Sequence, residues 1–202
     1  LLNDFITTYV YQGDGTSGVY IYGAQIEENS HATSYIKTVG SPQTRTADTA
    51  SGSGNSTVIN SSEGVLYFEG SYPITANGSG NKRISISDGT SGNRVMLAEV
   101  GNTGISALIS SGGLNSAYIT GSLDNLSNFK IAISYKQNDF ALWVNGIKTV
   151  GVPTNGGNAP IGLNQVAFDG GDGTNPFYGK TKSVQVYTSA LSDLELTNLT
   201  KI

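Results

Sequence analysis

The chain has 202 residues, a formal net charge of −4 and a pI near 4.8. It contains no cysteine, which excludes disulfides, thiolate metal sites and cysteine nucleophiles. There is no basic cluster, so nucleic acid has no electrostatic footprint to bind, and no apolar run approaches the roughly 20 residues of a membrane-crossing helix. With 27 glycines, 13% charged residues and short alternating apolar runs, the composition fits an all-β protein with many tight turns.

The first segment, residues 1–38, carries one strand signal. Val19, Tyr20, Ile21 and Tyr22 follow a Gly-Asp-Gly-Thr-Ser-Gly turn at 13–18. The segment is too short for a domain. It reads as the last strands of an upstream β-sandwich or as an extended arm. The chain starts Leu-Leu-Asn-Asp without methionine and reads as a piece of a longer polypeptide. Residues 39–57 have a linker composition of Gly, Ser, Thr, Pro and Asp with no apolar period.

Residues 58–202 form the main domain. Strand signals recur at Val65–Glu69, Arg83–Ser87, Arg94–Glu99, Gly104–Ile109 and Ala117–Thr120, and again at Val166–Phe168, Phe177–Lys180 and Ser183–Tyr187. The domain is organised around Phe129–Gly146. Ile131, Ile133 and Tyr135 alternate with Ala132, Ser134 and Lys136. After a polar break at 137–139, Phe140, Leu142 and Val144 alternate with Ala141, Trp143 and Asn145. This is the period of half-buried strands, and Asn145-Gly146 is the dipeptide of a type I′ turn. Ser192-Asp193-Leu194-Glu195 is a capping box, and Leu191, Leu194, Leu196 and Leu199 supply an apolar face, so a short helix is expected over about 192–199. Many short strands at this spacing predict an antiparallel β-sandwich closed by one C-terminal helix.

Two stretches carry a family resemblance. Gly18–Thr38, GVYIYGAQIEENSHATSYIKT, with Thr44-Arg45-Thr46-Ala47-Asp48, resembles a segment recurring in tail and structural proteins of bacteriophages and marine bacterial viruses. The Ile84–Thr90 hairpin run, Phe140–Gly146 and the closing Leu191-Ser192-Asp193-Leu194-Glu195-Leu196 resemble concanavalin A-like, laminin-G-like jelly-roll modules of such proteins. The resemblance implies a two-sheet jelly roll in a virion surface component such as a tail fibre or spike. It implies glycan binding only loosely, since many such modules are architectural.

Three kinds of site come into question. The single histidine, His31, sits in a Glu-Glu-Asn-Ser-His-Ala-Thr turn, and no strand shows closely alternating carboxylates, so an enzyme is not expected. The loop Asp169-Gly170-Gly171-Asp172-Gly173-Thr174-Asn175 has two readings. Asp169, Asp172 and Asn175 offer hard oxygens suited to calcium, or the Asp-Gly steps are tight turns; no other cofactor is implied. For carbohydrate, Trp143 lies opposite the apolar face. If it is exposed it is a stacking platform, with Asn145, Lys136 and Tyr187 near enough to bond sugar hydroxyls. The alternative is a Trp143 covered by the arm, the C-terminal helix or a neighbouring subunit.

The sequence reading is therefore a virion surface protein with a lectin-like sandwich that binds host-surface glycans, packed with other virion subunits. A homo-oligomer is expected, with a trimer suggested by the fibre analogy. A non-binding decoration module of capsid or tail is the rival, and a polysaccharide-degrading enzyme the weaker one.

Overall fold

The computed structural model describes residues 13–18, 20–26, 35–43, 50, 52–72, 82–101, 103–124 and 126–202. The chain divides into two units, Leu1–Ala47 and Asp48–Ile202. Val19, His31 and the 44–48 stretch lie outside the described residues.

In the first unit, residues 20–22 form no strand, although Tyr20, Ile21 and Tyr22 have strand character. All three are exposed, as is Ile26. A single extended segment has no ladder to join, and side-chain propensity alone does not make a strand. Among the described residues of this unit, side chains make several contacts. The Asp14 carboxylate accepts from the amides of Thr16 and Ser17, which holds it far below the usual carboxylate range, with Ser17 the main cause. Gln25 Oε1 accepts from the Ile36 amide at 2.7 Å, and the Tyr22 and Tyr35 rings lie 5.6 Å apart.

The second unit is a sandwich of ten strands among the described residues: β1 (Glu63–Ser71), β2 (Arg83–Ser87), β3 (Arg94–Val100), β4 (Gly104–Ser111), β5 (Leu114–Ser122), β6 (Phe129–Lys136), β7 (Asp139–Val144), β8 (Ile147–Val150), β9 (Gln165–Ala167) and β10 (Lys180–Tyr187). One helix follows, α1 (Asp193–Thr200). Sheet one has the order β10-β1-β6-β7-β8, and sheet two β5-β4-β3-β2-β9. Every pairing is antiparallel.

The central meander sorts its side chains as the alternation predicts. Ile131, Ile133, Tyr135, Phe140, Leu142 and Val144 enter the core between the sheets, against Ile84, Ile86, Val95 and Leu97 of sheet two. Ala132, Ala141 and Trp143 point outward from sheet one into a second apolar cluster. The turn between β7 and β8 needs positive φ at both central residues, and Asn145 and Gly146 supply it at 49° and 85°.

Three local expectations change. Phe177 does not extend a strand; its ring turns inward, edge-on to Phe168 at 5.3 Å and to Phe68 at 5.5 Å. Aromatic burial there outweighs ladder pairing. The linker composition of 39–57 does not keep its second half off the sheet. Ser53 exchanges backbone bonds with Val166 at 3.2 and 2.7 Å, and the Phe168 amide reaches the Ala50 carbonyl at 2.8 Å. Backbone groups pair regardless of side-chain polarity, and this run covers the open edge of β9. On α1, Leu194 is 71% exposed. It lies two residues from Leu196, which puts the two on different faces.

The core also holds a charged pair. Lys82 Nζ stands 3.5 Å from Glu99 Oε2, both side chains excluded from water, with the ammonium 5.8 Å from the Tyr72 ring. Mutual attraction offsets the desolvation of the two charges. Burial, with Glu99 adding to it, pushes the Tyr72 hydroxyl well above its ordinary value.

Candidate functional site

The outer face of sheet one is closed by α1. Ser192 caps the helix: its Oγ accepts from the Glu195 amide at 3.4 Å, while Glu195 Oε2 accepts from the Ser192 amide at 2.8 Å. The Ser192 hydroxyl, donating to Glu195 Oε2 at 2.6 Å, and then the Ser192 amide hold the Glu195 carboxyl below its ordinary value. Leu196, fully buried, then packs with Val65, Tyr67, Ala132, Ala141 and Trp143, while Leu191 and Leu199 pack at the margin. Lys148 on β8 completes the cover, its ammonium 5.0 Å above the Trp143 ring and bonded to Asp193 at 2.7 Å.

Trp143 is 2% exposed, so neither face of its ring is open to a sugar. The cover is the chain's own helix. An amphipathic helix needs an apolar floor, and the outward side chains of β6 and β7 are that floor. The residues grouped with Trp143 do not converge either. Asn145 Oδ1 accepts from the Lys130 amide at the start of β6, whereas Lys136, at its far end, pairs with Glu63 at 3.5 Å. The Tyr187 hydroxyl donates to Gln185 Oε1 at 2.6 Å. The sugar platform expected from the sequence is not assembled on this face.

The outer face of sheet two is built differently. Inward Ile84, Ile86, Val95, Leu97, Ile105, Ala107 and Ile109 leave their neighbours pointing out. The register then sets those neighbours in rows. Ala167, Ser85, Met96, Leu108 and Tyr118 cross the sheet in one row. Gln165, Ser87, Arg94 and Ser110 make the row on one side, and Arg83, Ala98, Ser106 and Thr120 the row on the other. Met96, Ala98 and Leu108 form a small apolar cluster that is itself buried, at 5%, 6% and 8% exposed. Around it stand Arg83 and Arg94, both half-buried, and Tyr118, 57% exposed.

The glycine-rich loop after β9 is anchored to this face. It is closed by the Gly170 amide on the Thr174 carbonyl and the Phe177 amide on the Phe168 carbonyl, each at 2.7 Å. Arg94 Nη1 donates to the Gly170 carbonyl at 2.5 Å, and Ser87 Oγ to the Gly171 carbonyl at 2.9 Å. Gly170 sits at the centre. A Cβ there would lie 3.1 Å from the Thr174 carbonyl, 3.3 Å from Asp172 Oδ1 and 3.4 Å from Arg83 Nη1, so a larger residue would push the loop off the arginines.

These contacts bear on the calcium reading of Asp169, Asp172 and Asn175. Asp169 Oδ1 accepts from the Gly171 amide at 2.6 Å. Asp172 Oδ1 accepts from the amide and hydroxyl of Thr174, chiefly the hydroxyl, which lowers its pKa. Asn175 donates to the Thr174 hydroxyl and adopts positive φ, 53°. The aspartates thus serve as turn acceptors, and the groups beside them are two guanidinium cations. Among the described residues no group of three or more His, Cys, Asp or Glu could hold a metal ion. The Oδ1 atoms of Asp169 and Asp172 are engaged in the loop's own turns, which is the tight-turn reading of the Asp-Gly steps.

Electrostatically the loop and the two arginines form one unit. Burial pulls the Arg94 guanidinium below its ordinary value; Asp172 opposes this and Arg83 reinforces it. The Nε atoms of Arg83 and Arg94 and the hydroxyl of Ser85 are buried with no hydrogen-bond partner among the described residues. Two like charges side by side, with donors left unused, favour an anion.

No family model matches the sequence, and no curated protein matches it. Solved structures do. The carbohydrate-binding module CBM40 of the Ruminococcus gnavus IT-sialidase, bound to α2,3-sialyllactose, superposes with a TM-score of 0.56 at 20% identity, over 76% of this chain and 94% of that one. The leech intramolecular trans-sialidase matches with a TM-score of 0.58 at 17% identity, over 77% of this chain and 27% of its own. Domain 4 of AbnA, a GH43 arabinanase of Geobacillus stearothermophilus in complex with arabinotriose, gives 0.50 at 16% identity, over 73% and 70%. The fold is a lectin-like jelly roll. The strand pattern predicted the antiparallel sandwich and its one C-terminal helix, and the jelly roll is what the resemblance implied.

Proposed function

We propose that this chain is a carbohydrate-binding module whose sheet-two outer face takes an acidic glycan. The observation that carries the reading is the Arg83–Arg94 pair beside the Met96, Ala98 and Leu108 cluster and the exposed Tyr118. A guanidinium pair fits a carboxylate or sulfate group, and the exposed Tyr118 offers a ring for stacking on a sugar. The sialyllactose bound by the R. gnavus module and the arabinotriose bound by the arabinanase domain support a glycan as ligand on this fold. Binding rather than catalysis is the reading, and no residue is given a catalytic role.

The resemblance of residues 18–38 to phage tail segments supports a setting on a virion surface, where repeated copies would turn weak single-site binding into avid attachment to a host envelope. The test is a glycan array probed with the full chain, comparing acidic glycans with the same glycans stripped of their charged group. Retention of the acidic set alone is expected. Equal retention of both sets, or of neither, overturns the reading.

A further inference from the structure

We infer that Asp172 is a built-in competitor at the arginine pair: it sets how tightly the site takes an external anion, and neutralising it strengthens that binding. The inference rests on the acidic-glycan reading of the same face. Its basis is the geometry around Gly170. The carbonyl of that residue accepts from Arg94, and a Cβ on it would lie 3.3 Å from Asp172 Oδ1 and 3.4 Å from Arg83 Nη1. The loop thus brings one carboxylate to the edge of the pair without an ion pair of 4.0 Å or less between them among the described residues. At that range the carboxylate still lowers the local positive potential, but leaves the Nε donors of both arginines unused. A ligand carboxylate or sulfate arriving at the guanidiniums meets this fixed negative charge and is repelled by it.

The loop is built to hold the charge there. Asp172 accepts from both the amide and the hydroxyl of Thr174, so its carboxylate cannot swing onto an arginine without giving up two bonds. The same Asp-Gly-Thr turn at 14–16 has no arginine described beside it. The motif occurs a third time at 88–90, where Asp88 likewise accepts from the amide and hydroxyl of Thr90, so it is a turn in all three places; the copy at 172–174 is the one whose loop is bonded to Arg94.

The experiment compares the full-length wild-type chain with Asp172→Asn and Asp14→Asn. The side-chain amide oxygen that Asp172→Asn introduces can keep both turn bonds, so the loop is retained while its charge is lost. Asp14→Asn removes the same charge from the same motif elsewhere and controls for net charge. Two probes are titrated at constant ionic strength: inorganic sulfate and a sialylated trisaccharide. D172N should bind sulfate about three- to tenfold more tightly than wild type, with D14N equal to wild type. Sulfate affinity unchanged or weakened in D172N, or raised equally by D14N, overturns the inference, as does an absence of sulfate binding by both wild type and D172N. The trisaccharide arm addresses the function separately. Sulfate tightening without any trisaccharide binding would leave the competitor in place and remove the sialylated glycan as ligand.

Discussion

The two outer faces of this sandwich start from the same pattern of outward residues and end in different states. On sheet one the outward residues are Val65, Ala132, Ala141 and Trp143, and a capped helix lies over them. On sheet two they include serines, a buried three-residue apolar cluster and two arginines, and among the described residues it is the turn after β9 that is bonded to them. A broad apolar floor recruits a permanent roof. The smaller cluster on sheet two is buried too, and beside it stand two half-buried arginines and the exposed Tyr118. The difference teaches that the exposed aromatic to look for in such a fold is not the largest one, because the largest is what a helix covers first.

Four changes would break or sharpen that contrast. Trp143→Ala should have the largest effect, destabilising the fold by about 3–5 kcal/mol, since it empties the space under α1; chemical denaturation measures this, and a loss below about 1 kcal/mol would mean the helix does not depend on its floor. Arg94→Ala should lower affinity for an acidic glycan about tenfold or more, as loss of one charge-assisted contact would. Titration calorimetry reads it, and retained affinity would move the ligand off sheet two. Ser192→Ala should cost about 1 kcal/mol through loss of the cap, seen as a lower thermal midpoint with glycan affinity intact.

The smallest effect is one of pH. The folded-state pKa of Glu195 is depressed by its bonds from Ser192, so its contribution is present above the ordinary carboxylate range. It is lost as pH falls through the lowered value. The midpoint difference between wild type and Ser192→Ala should therefore shrink as pH falls from neutral through and below the ordinary carboxylate range. A gap that stays constant would show that the Ser192–Glu195 contact does not act through ionisation.

What can be read from the sequence follows the range of the interactions. The alternation in β6 and β7, the Asn145-Gly146 turn and the Ser192–Glu195 cap are local, and each appears in the structure where the residues place it. The roof over Trp143 is legible only as one of several covers, because it joins residues some fifty positions apart, and nothing in either stretch names the other. The site on sheet two escapes the sequence reading altogether. Arg83 and Arg94 look like ordinary strand ends, and Asp169, Asp172 and Asn175 look like oxygen donors for a cation. Only the fold puts the guanidiniums behind those donors, 76 residues away for the Arg94–Gly170 bond. A sequence shows which ligating atoms a loop owns, not what charge stands behind it. One signal is legible: Arg83 and Arg94 each open a strand of one hairpin at an outward position, Arg83 at its open end and Arg94 beside its turn.

Trp143 is the chain's single tryptophan, and α1 comes after every strand in the order of synthesis. Both sheets can pair before the helix has left the ribosome, but the indole stays wet until Leu196 settles on it. The protein's intrinsic ultraviolet emission should therefore time the docking of its last helical turns rather than the collapse of the inter-sheet core, which offers a built-in clock for the final step of maturation.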